Sequence, residues 1–314
     1  MRFQYLNGNY YVKLYGNGTK IYRALRVGEE LVSSFPDSID LKITDKCMIG
    51  CPFCHESSSP SGKEFDLDKT IAILDTLPKV GIEVAIGGGD VLEVDCEKFY
   101  KFYSWLENNK FVPRITVNIK SLEKKYNDAN KEQYYLFPNL DLISSGFGIS
   151  ISEFNNHVIE LVDNCIEITL SRGGIVFHVI AGIIPLEDLE DLLESSRNVL
   201  ILGYKSWGRG EKFNPPISLK ETGDLIKRFI YKTRLRRGLE RSVGFDNLAI
   251  EQLGIKDSFT DTEWESMYMG DEFTHTMYID AVKEEFAPTS RDPHRESWNK
   301  YPGGVLEYFQ KNKR

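Results

Sequence analysis

Apolar and polar positions along the chain follow two periods, and their order predicts strands alternating with helices. Near the start, Tyr10-Tyr11-Val12-Lys13-Leu14 and Thr19-Lys20-Ile21-Tyr22 flank Gly16-Asn17-Gly18 and predict a β-hairpin. Ser34 to Ser38, with Pro36, reads as a connection. Ile39-Asp40-Leu41-Lys42-Ile43 then alternates as a strand. Leu67, Ile71, Leu74 and Leu77 recur at helical spacing from about Asp66 onward. Glu83-Val84-Ala85-Ile86 is a short apolar strand ending in Gly87-Gly88-Gly89-Asp90. The next helix, near Glu97 to Asn108, carries Phe99, Phe102, Tyr103 and Leu106 on one face.

The alternation continues with strands at Arg114–Ile119, Gly148–Ser152, Ile175–Ile184 and Val199–Gly203. Pro185 stands at a tolerated helix start, and Ser218-Leu219-Lys220-Glu221 has the form of a capping box. Six strands separated by helices predict a parallel sheet, because parallel neighbours need a crossover connection. Beyond about Arg241 the alternation is lost. Three segments are expected: an N-terminal hairpin over 1–33, an α/β body over 34–240 and a C-terminal extension over 241–314.

Composition narrows the function classes. The chain has 314 residues, 27% of them charged and 41% hydrophobic, a balance that excludes wholesale disorder. No apolar run reaches the roughly 18 residues of a membrane span, and the N-terminus lacks the apolar region of a secretory signal. A net charge of −8 argues against a sequence-independent grip on nucleic acid. Five cysteines are too few and odd in number for a disulfide scaffold, so a reducing, cytoplasmic location is expected.

Three of those cysteines, Cys47, Cys51 and Cys54, form a C-x3-C-x2-C loop directly after a predicted strand. Thiolates select iron–sulfur clusters or zinc. A [4Fe–4S] cube has four irons, so three cysteines leave one iron free to be chelated by another molecule. Zinc with His55 as fourth ligand is the rival reading, although adjacent residues such as Cys54 and His55 rarely reach one tetrahedral ion together. Three unligated thiols are the plainest alternative.

The loop resembles the signature of the radical S-adenosylmethionine (radical SAM) superfamily, with Phe53 in its aromatic place. A glycine-rich, acid-tipped segment after the following strand agrees, and the resemblance covers about residues 38 to 210. It implies a partial (β/α)6 barrel, TIM-like but open on one side, with chemistry at the C-terminal ends of its strands. It also implies Cys47, Cys51 and Cys54 as ligands of a [4Fe–4S] cluster and Phe53 against the adenine of SAM. The amino and carboxylate groups of SAM would chelate the open iron, and an electron from a reductant such as flavodoxin or ferredoxin would release a 5′-deoxyadenosyl radical. The family's usual Gly-Gly-Glu-Pro falls on Gly88, Gly89, Asp90 and Val91, so the last two positions depart from it. Gly87 precedes this segment. Glycine backbone contact with SAM is therefore expected more than a contact from the shorter Asp90 carboxylate.

Further cofactor candidates are Ser150 and Ser152 for the ribose, Arg172 for the SAM carboxylate, and Gly203 and Tyr204 for adenine. Each has an ordinary structural alternative: a satisfied strand hydroxyl, a surface ion pair or a packed turn. Gly146-Phe147-Gly148 leads into a strand and lacks a third glycine, which rules out a dinucleotide fingerprint. His178, in an apolar strand, is expected in the core, and Cys96 and Cys165 are expected as buried thiols.

No cysteine follows Cys165, which argues against auxiliary-cluster architectures. The expected activity is hydrogen abstraction from a small molecule or peptide. The alternatives are a nucleoside or nucleic acid base, docked by Arg234, Arg236, Arg237 and Arg241, and a non-catalytic iron–sulfur or zinc module. Six strands leave a barrel open, and a radical needs shielding. The Met277 to Arg295 segment is therefore expected over or beside the pocket, with Tyr278, Asp280 or Arg291 as catalytic candidates facing it.

Overall fold

The computed structural model describes residues 2–15, 19–132, 147–169, 174–234 and 242–313; side chains at 128–132, 147 and 165–169 are not described. The N-terminal segment forms three strands, β1 (Phe3–Asn7), β2 (Tyr10–Leu14) and β3 (Lys20–Ala24), paired antiparallel in that order. The sequence anticipates β2 and β3 but not β1, and the expected turn at 16–18 lies outside the described residues.

A second sheet of ten strands carries the rest: β4 (Ser38–Thr44), β5 (Glu83–Gly88), β6 (Val112–Asn118), β7 (Phe147–Ser150), β8 (Ile175–Ile180), β9 (Asn198–Leu202), β10 (Val243–Phe245), β11 (Thr276–Asp280), β12 (Glu285–Ala287) and β13 (Glu296–Ser297). Their spatial order is β10-β9-β8-β7-β6-β5-β4-β11-β12-β13. All neighbours from β10 to β11 pair parallel, and β12 and β13 are antiparallel additions. The edges β10 and β13 do not meet, so the sheet remains open.

Six parallel strands were expected, and eight are present among the described residues. The two missed strands lie on opposite sides of the sheet and both come from the region after 241. β10 is three residues long, too short for a period to be read, and β11 follows a stretch without alternation. The fifth predicted strand also ends four residues early, at Ile180, where residues 181–184 turn toward a helix.

Nine helices are described: α1 (Leu67–Leu74), α2 (Cys96–Asn108), α3 (Ile119–Glu132), α4 (Asn156–Thr169), α5 (Leu186–Glu194), α6 (Leu219–Arg234), α7 (Asn247–Leu253), α8 (Asp261–Met267) and α9 (Gly304–Asn312). Their starts follow local chemistry. Asp66 accepts from Lys69 N at 3.0 Å, Asp95 from Lys98 N at 2.8 Å and Ser218 from Glu221 N at 3.1 Å. Phe99, Phe102, Tyr103 and Leu106 are the buried face of α2, as their spacing predicts. They share a core with Ile39, Leu41 and Ile43 of β4. Alternation then puts Asp40, Lys42 and Thr44 on the opposite face of that strand.

A buried polar network fastens the N-terminal sheet to the large one. Asp37, fully buried, accepts from the Tyr5 hydroxyl at 3.1 Å, Asn7 Nδ2 at 2.8 Å and the Tyr10 hydroxyl at 2.5 Å. The Tyr10 hydroxyl also lies 2.9 Å from His275 Nδ1, just ahead of β11. No helix among the described residues is long and apolar enough to cross a membrane.

Candidate cofactor and active site

Parallel pairing brings the C-terminal ends of β4 to β9 to one edge, and the cysteine loop leaves β4 there. The loop is closed by its own backbone. Asp45 N donates to Lys63 O at 2.8 Å, Ser59 N to Asp45 O at 3.0 Å and Cys47 N to Ser59 O at 2.9 Å. Cys54 N donates to Cys51 O at 3.2 Å and tightens the last turn. A second clamp comes from the turn after β9: Arg209 donates from Nε to Cys51 O at 2.9 Å and from Nη1 to Ser58 O at 2.7 Å. Its main-chain N–H reaches Cys54 O at 3.0 Å.

The loop opens onto a cavity of about 390 Å³ lined by Cys47, Cys51 and Cys54, by Gly87 to Asp90, and by side chains of β4, β6, β7, β8 and β11. All three cysteines are partly exposed. Burial, then the neighbouring Cys54 and Cys51–Cys47 repulsion, pushes the Cys51 thiol up, with Lys120 opposing. The Asn118 amide lies 4.0 Å from Cys51 Sγ.

Three thiols on one loop are a donor set consistent with an iron–sulfur cluster. Among the described residues, no three His, Cys, Asp or Glu side chains converge to hold one metal ion. A cubane asks each cysteine for a different iron, so its thiols stand apart around it. His55 is engaged elsewhere: its Nε2 is 3.4 Å from Glu56 Oε1 and 3.3 Å from Lys205 Nζ.

The glycines after β5 divide their work. A Cβ on Gly88 would lie 2.5 Å from Thr44 O, and one on Gly89 would lie 2.2 Å from Lys46 O. Gly88 also has φ +115°. Both are therefore required by close packing against the exit of β4. Gly87 meets nothing within 4 Å and presents bare backbone to the cavity. Asp90 is buried; its carboxylate accepts from the Ser121 hydroxyl and from Leu92 N at 3.1 Å. Burial raises its pKa, and its side chain serves the turn.

Other candidates separate clearly. Phe53 lines the cavity with its ring edge-on to Phe213, centroids 5.7 Å apart. Ser150 lines it, whereas Ser152, two residues on, is half-buried and outside the wall. A Cβ on Gly203 would strike Leu248 at 2.4 Å, and the Tyr204 hydroxyl donates to the carbonyls of Gly210 (2.6 Å) and Phe213 (2.9 Å). Neither residue forms part of the cavity wall. Arg172 lies outside the described residues. Arg234 pairs with Glu263 at 2.8 Å, and Arg236, Arg237 and Arg241 lie outside the described residues.

Two expectations from sequence are corrected. His178 faces the cavity instead of the core, because β8 turns its apolar Phe177 and Val179 the other way. Cys96 is exposed at the first position of α2, not buried; the Cys165 side chain lies outside the described set.

The expected cover is largely a wall. Thr276–Asp280 enters the sheet beside β4, which places Tyr278 and then Ser290 on the cavity. The Tyr278 hydroxyl donates to Glu56 Oε1 at 3.2 Å, and the Arg295 guanidinium sits 4.5 Å over its ring. Asp280 does not face the cavity: it is buried 3.2 Å from Lys42 Nζ and caps Val282 N at 3.1 Å. Arg291 points away, to Glu272 at 2.7 Å and Glu251 at 3.3 Å.

Sequence reading missed Asp40, Lys42, Glu56 and Asn118 as cavity residues, whereas Ser290 lies in the segment expected beside the pocket. Only Asp40 and Lys42 carried a signal, as charges at period-two positions in an apolar strand. The Lys42 ammonium lies 2.6 Å from Asp45, 2.7 Å from Glu56 and 3.2 Å from Asp280. Burial works against its charge, but Glu56 and Asp280 outweigh it and hold the pKa above the ordinary lysine range.

No family model and no curated protein matches the chain by sequence. Solved structures do match by fold. Streptococcus suis SuiB bound to S-adenosylmethionine superposes with a TM-score of 0.63 over 90% of this chain and 67% of its own, at 12% identity. This chain has the fold of the radical SAM enzymes. SuiB bound to its precursor peptide SuiA matches with a TM-score of 0.63 at 13% identity, over 90% of this chain and 66% of that one. The chain thus spans about two thirds of the length of SuiB. Native anSMEcpe with bound AdoMet matches with a TM-score of 0.55 at 11% identity, over 88% of this chain and 81% of that one.

Proposed function

We propose that this chain is a radical SAM enzyme that abstracts hydrogen from a peptide substrate. One observation carries the reading: three thiols of a single clamped loop open onto the same cavity as the bare backbone of Gly87. Peptide is favoured over a free metabolite because the matching structures include SuiB with precursor peptide SuiA and anSMEcpe with a Cys-containing peptide.

In this reading Cys47, Cys51 and Cys54 hold a [4Fe–4S] cluster. Bound there, the cluster would supply the electron, received from an external reductant, that cleaves SAM to a 5′-deoxyadenosyl radical. The chain's own residues orient and shield. Gly87 admits SAM close to the main chain, and Phe53 offers a ring face beside the loop. Arg209 holds the loop carbonyls still. Ile180, Leu200 and Leu202 give the cavity apolar walls that exclude water.

Anaerobic reconstitution tests this directly. About four irons per chain, with 5′-deoxyadenosine released on adding SAM and dithionite, is the expected result. Cys51→Ala should lose both, and Cys96→Ala should keep both. Zinc binding without iron, or full iron in Cys51→Ala, would overturn the assignment.

A further inference from the structure

We propose that Asp40 seats a positively charged group of the substrate, a protonated amine or guanidinium, so that the peptide taken by this cavity must present a basic side chain or amino terminus there. The proposal rests on reading the cavity as the substrate site. Asp40 is the third residue of β4. Its neighbours Ile39 and Leu41 are 0% and 1% exposed, yet Asp40 itself is open to the cavity it lines. In register it lies between Ala85 of β5 and Tyr278 of β11, inside the sheet and away from its edges.

What distinguishes Asp40 is that its carboxylate lines the cavity with no direct partner among the described residues. Each surrounding carboxylate has partners. Glu56 and Asp280 hold Lys42, Asp246 accepts from the N–H groups of Gly203 and Ala249, and Glu272 holds Arg291. Among the described residues, the Asp40 carboxylate has no hydrogen bond and no ion pair. A carboxylate on the cavity wall without a protein donor is free to accept one from a ligand.

The carboxylate's own charge selects the sign of that ligand. Burial pushes the Asp40 carboxyl up; Lys205 opposes this, and Asp246 and Glu272 add to it. Lys205 is itself committed, with Nζ 2.7 Å from Ser290 Oγ and 3.3 Å from His55 Nε2.

Depth fixes the role. Thr44 ends β4 four residues beyond Asp40, roughly 13 Å at 3.3 Å per residue, and the cysteines follow it. A cation on Asp40 therefore sits far from the reacting end, where binding energy orients the substrate and distinguishes one substrate from another.

Titration of the full chain with n-butylguanidinium and n-butylammonium, against neutral pentanamide and anionic pentanoate, tests the seat. Both cations should bind at least about tenfold tighter than either control, and Asp40→Asn should abolish that preference. Asp40→Asn removes an unpartnered charge, so its melting temperature should hold or rise; Asp40→Ser is the second variant, with the same expected loss. Equal binding of cation and amide by the wild type, or an unchanged preference in both variants, would overturn the proposal. These measurements need no iron. A chain that keeps the cation preference but binds no iron would sink the radical SAM reading, whereas an iron-loaded chain without the preference would sink the Asp40 seat alone.

Discussion

Arg209 donates from Nε to the main-chain oxygen of Cys51 at 2.9 Å, across 158 residues of sequence. Glycines on either side let it approach. A Cβ on Gly208 would lie 2.3 Å from His55 O, and one on Gly210 would lie 2.4 Å from Lys205 O. The turn after β9 is thus a latch on the cysteine loop.

Arg209→Ala should loosen that loop. Two guanidinium–carbonyl bonds are lost, each worth about 1.5–3 kcal/mol because the donor is charged. Melting temperature and iron content after reconstitution should both fall, and Arg209→Lys should recover only part. An alanine variant with unchanged iron and stability would remove the latch from the account.

Neighbouring glycines should respond in opposite ways. Gly87→Val projects into open cavity, so it should leave stability within about 0.5 kcal/mol while weakening SAM binding. Gly88→Ala forces a side chain at φ +115° against Thr44 O and should destabilise by about 1–3 kcal/mol. Calorimetric binding and thermal melting of the two variants separate these effects; the reverse pattern would refute the division of labour.

Lys42 should be the costliest single charge to remove. Its ammonium is 3% exposed and faces Asp45, Glu56 and Asp280. Lys42→Met leaves those carboxylates facing one another and should cost about 3–5 kcal/mol. Urea unfolding measures it, and a loss under about 1 kcal/mol would contradict the ion-pair geometry.

His178 should make stability fall in mild acid. Burial lowers its pKa to about 4 from an ordinary 6.5. The unfolded chain then binds more protons between those values, so the stabilisation present above pH 6.5 is lost as pH falls toward 4. Allowing for its partial exposure, about 2 kcal/mol is at stake. His178→Asn should flatten that part of the stability-versus-pH curve, and an unchanged curve would show that the imidazole is not shielded.

Much of this protein was legible as local chemistry. The spacing of Cys47, Cys51 and Cys54, the alternation around Ile39 to Ile43, the apolar face of α2 and the cap at Ser218 all act within a few residues of themselves. Those are the interactions a sequence displays, because backbone periodicity and short loops determine them. Asp90 shows the limit: its burial and its bond with the Ser121 hydroxyl of α3 could not be read from the glycines before it.

The tertiary structure decided what long-range register brings together. Pairing β11 beside β4 put Tyr278 on the cavity and Asp280 behind it, two residues apart in one strand. Parallel crossovers brought Arg209 to Cys51 and Lys205 to Ser290, and left Asp40 facing open space without a partner. A side chain's own identity says whether it can carry charge. Whether that charge is cancelled, buried or offered to a ligand depends on strands that the sequence places more than a hundred residues apart.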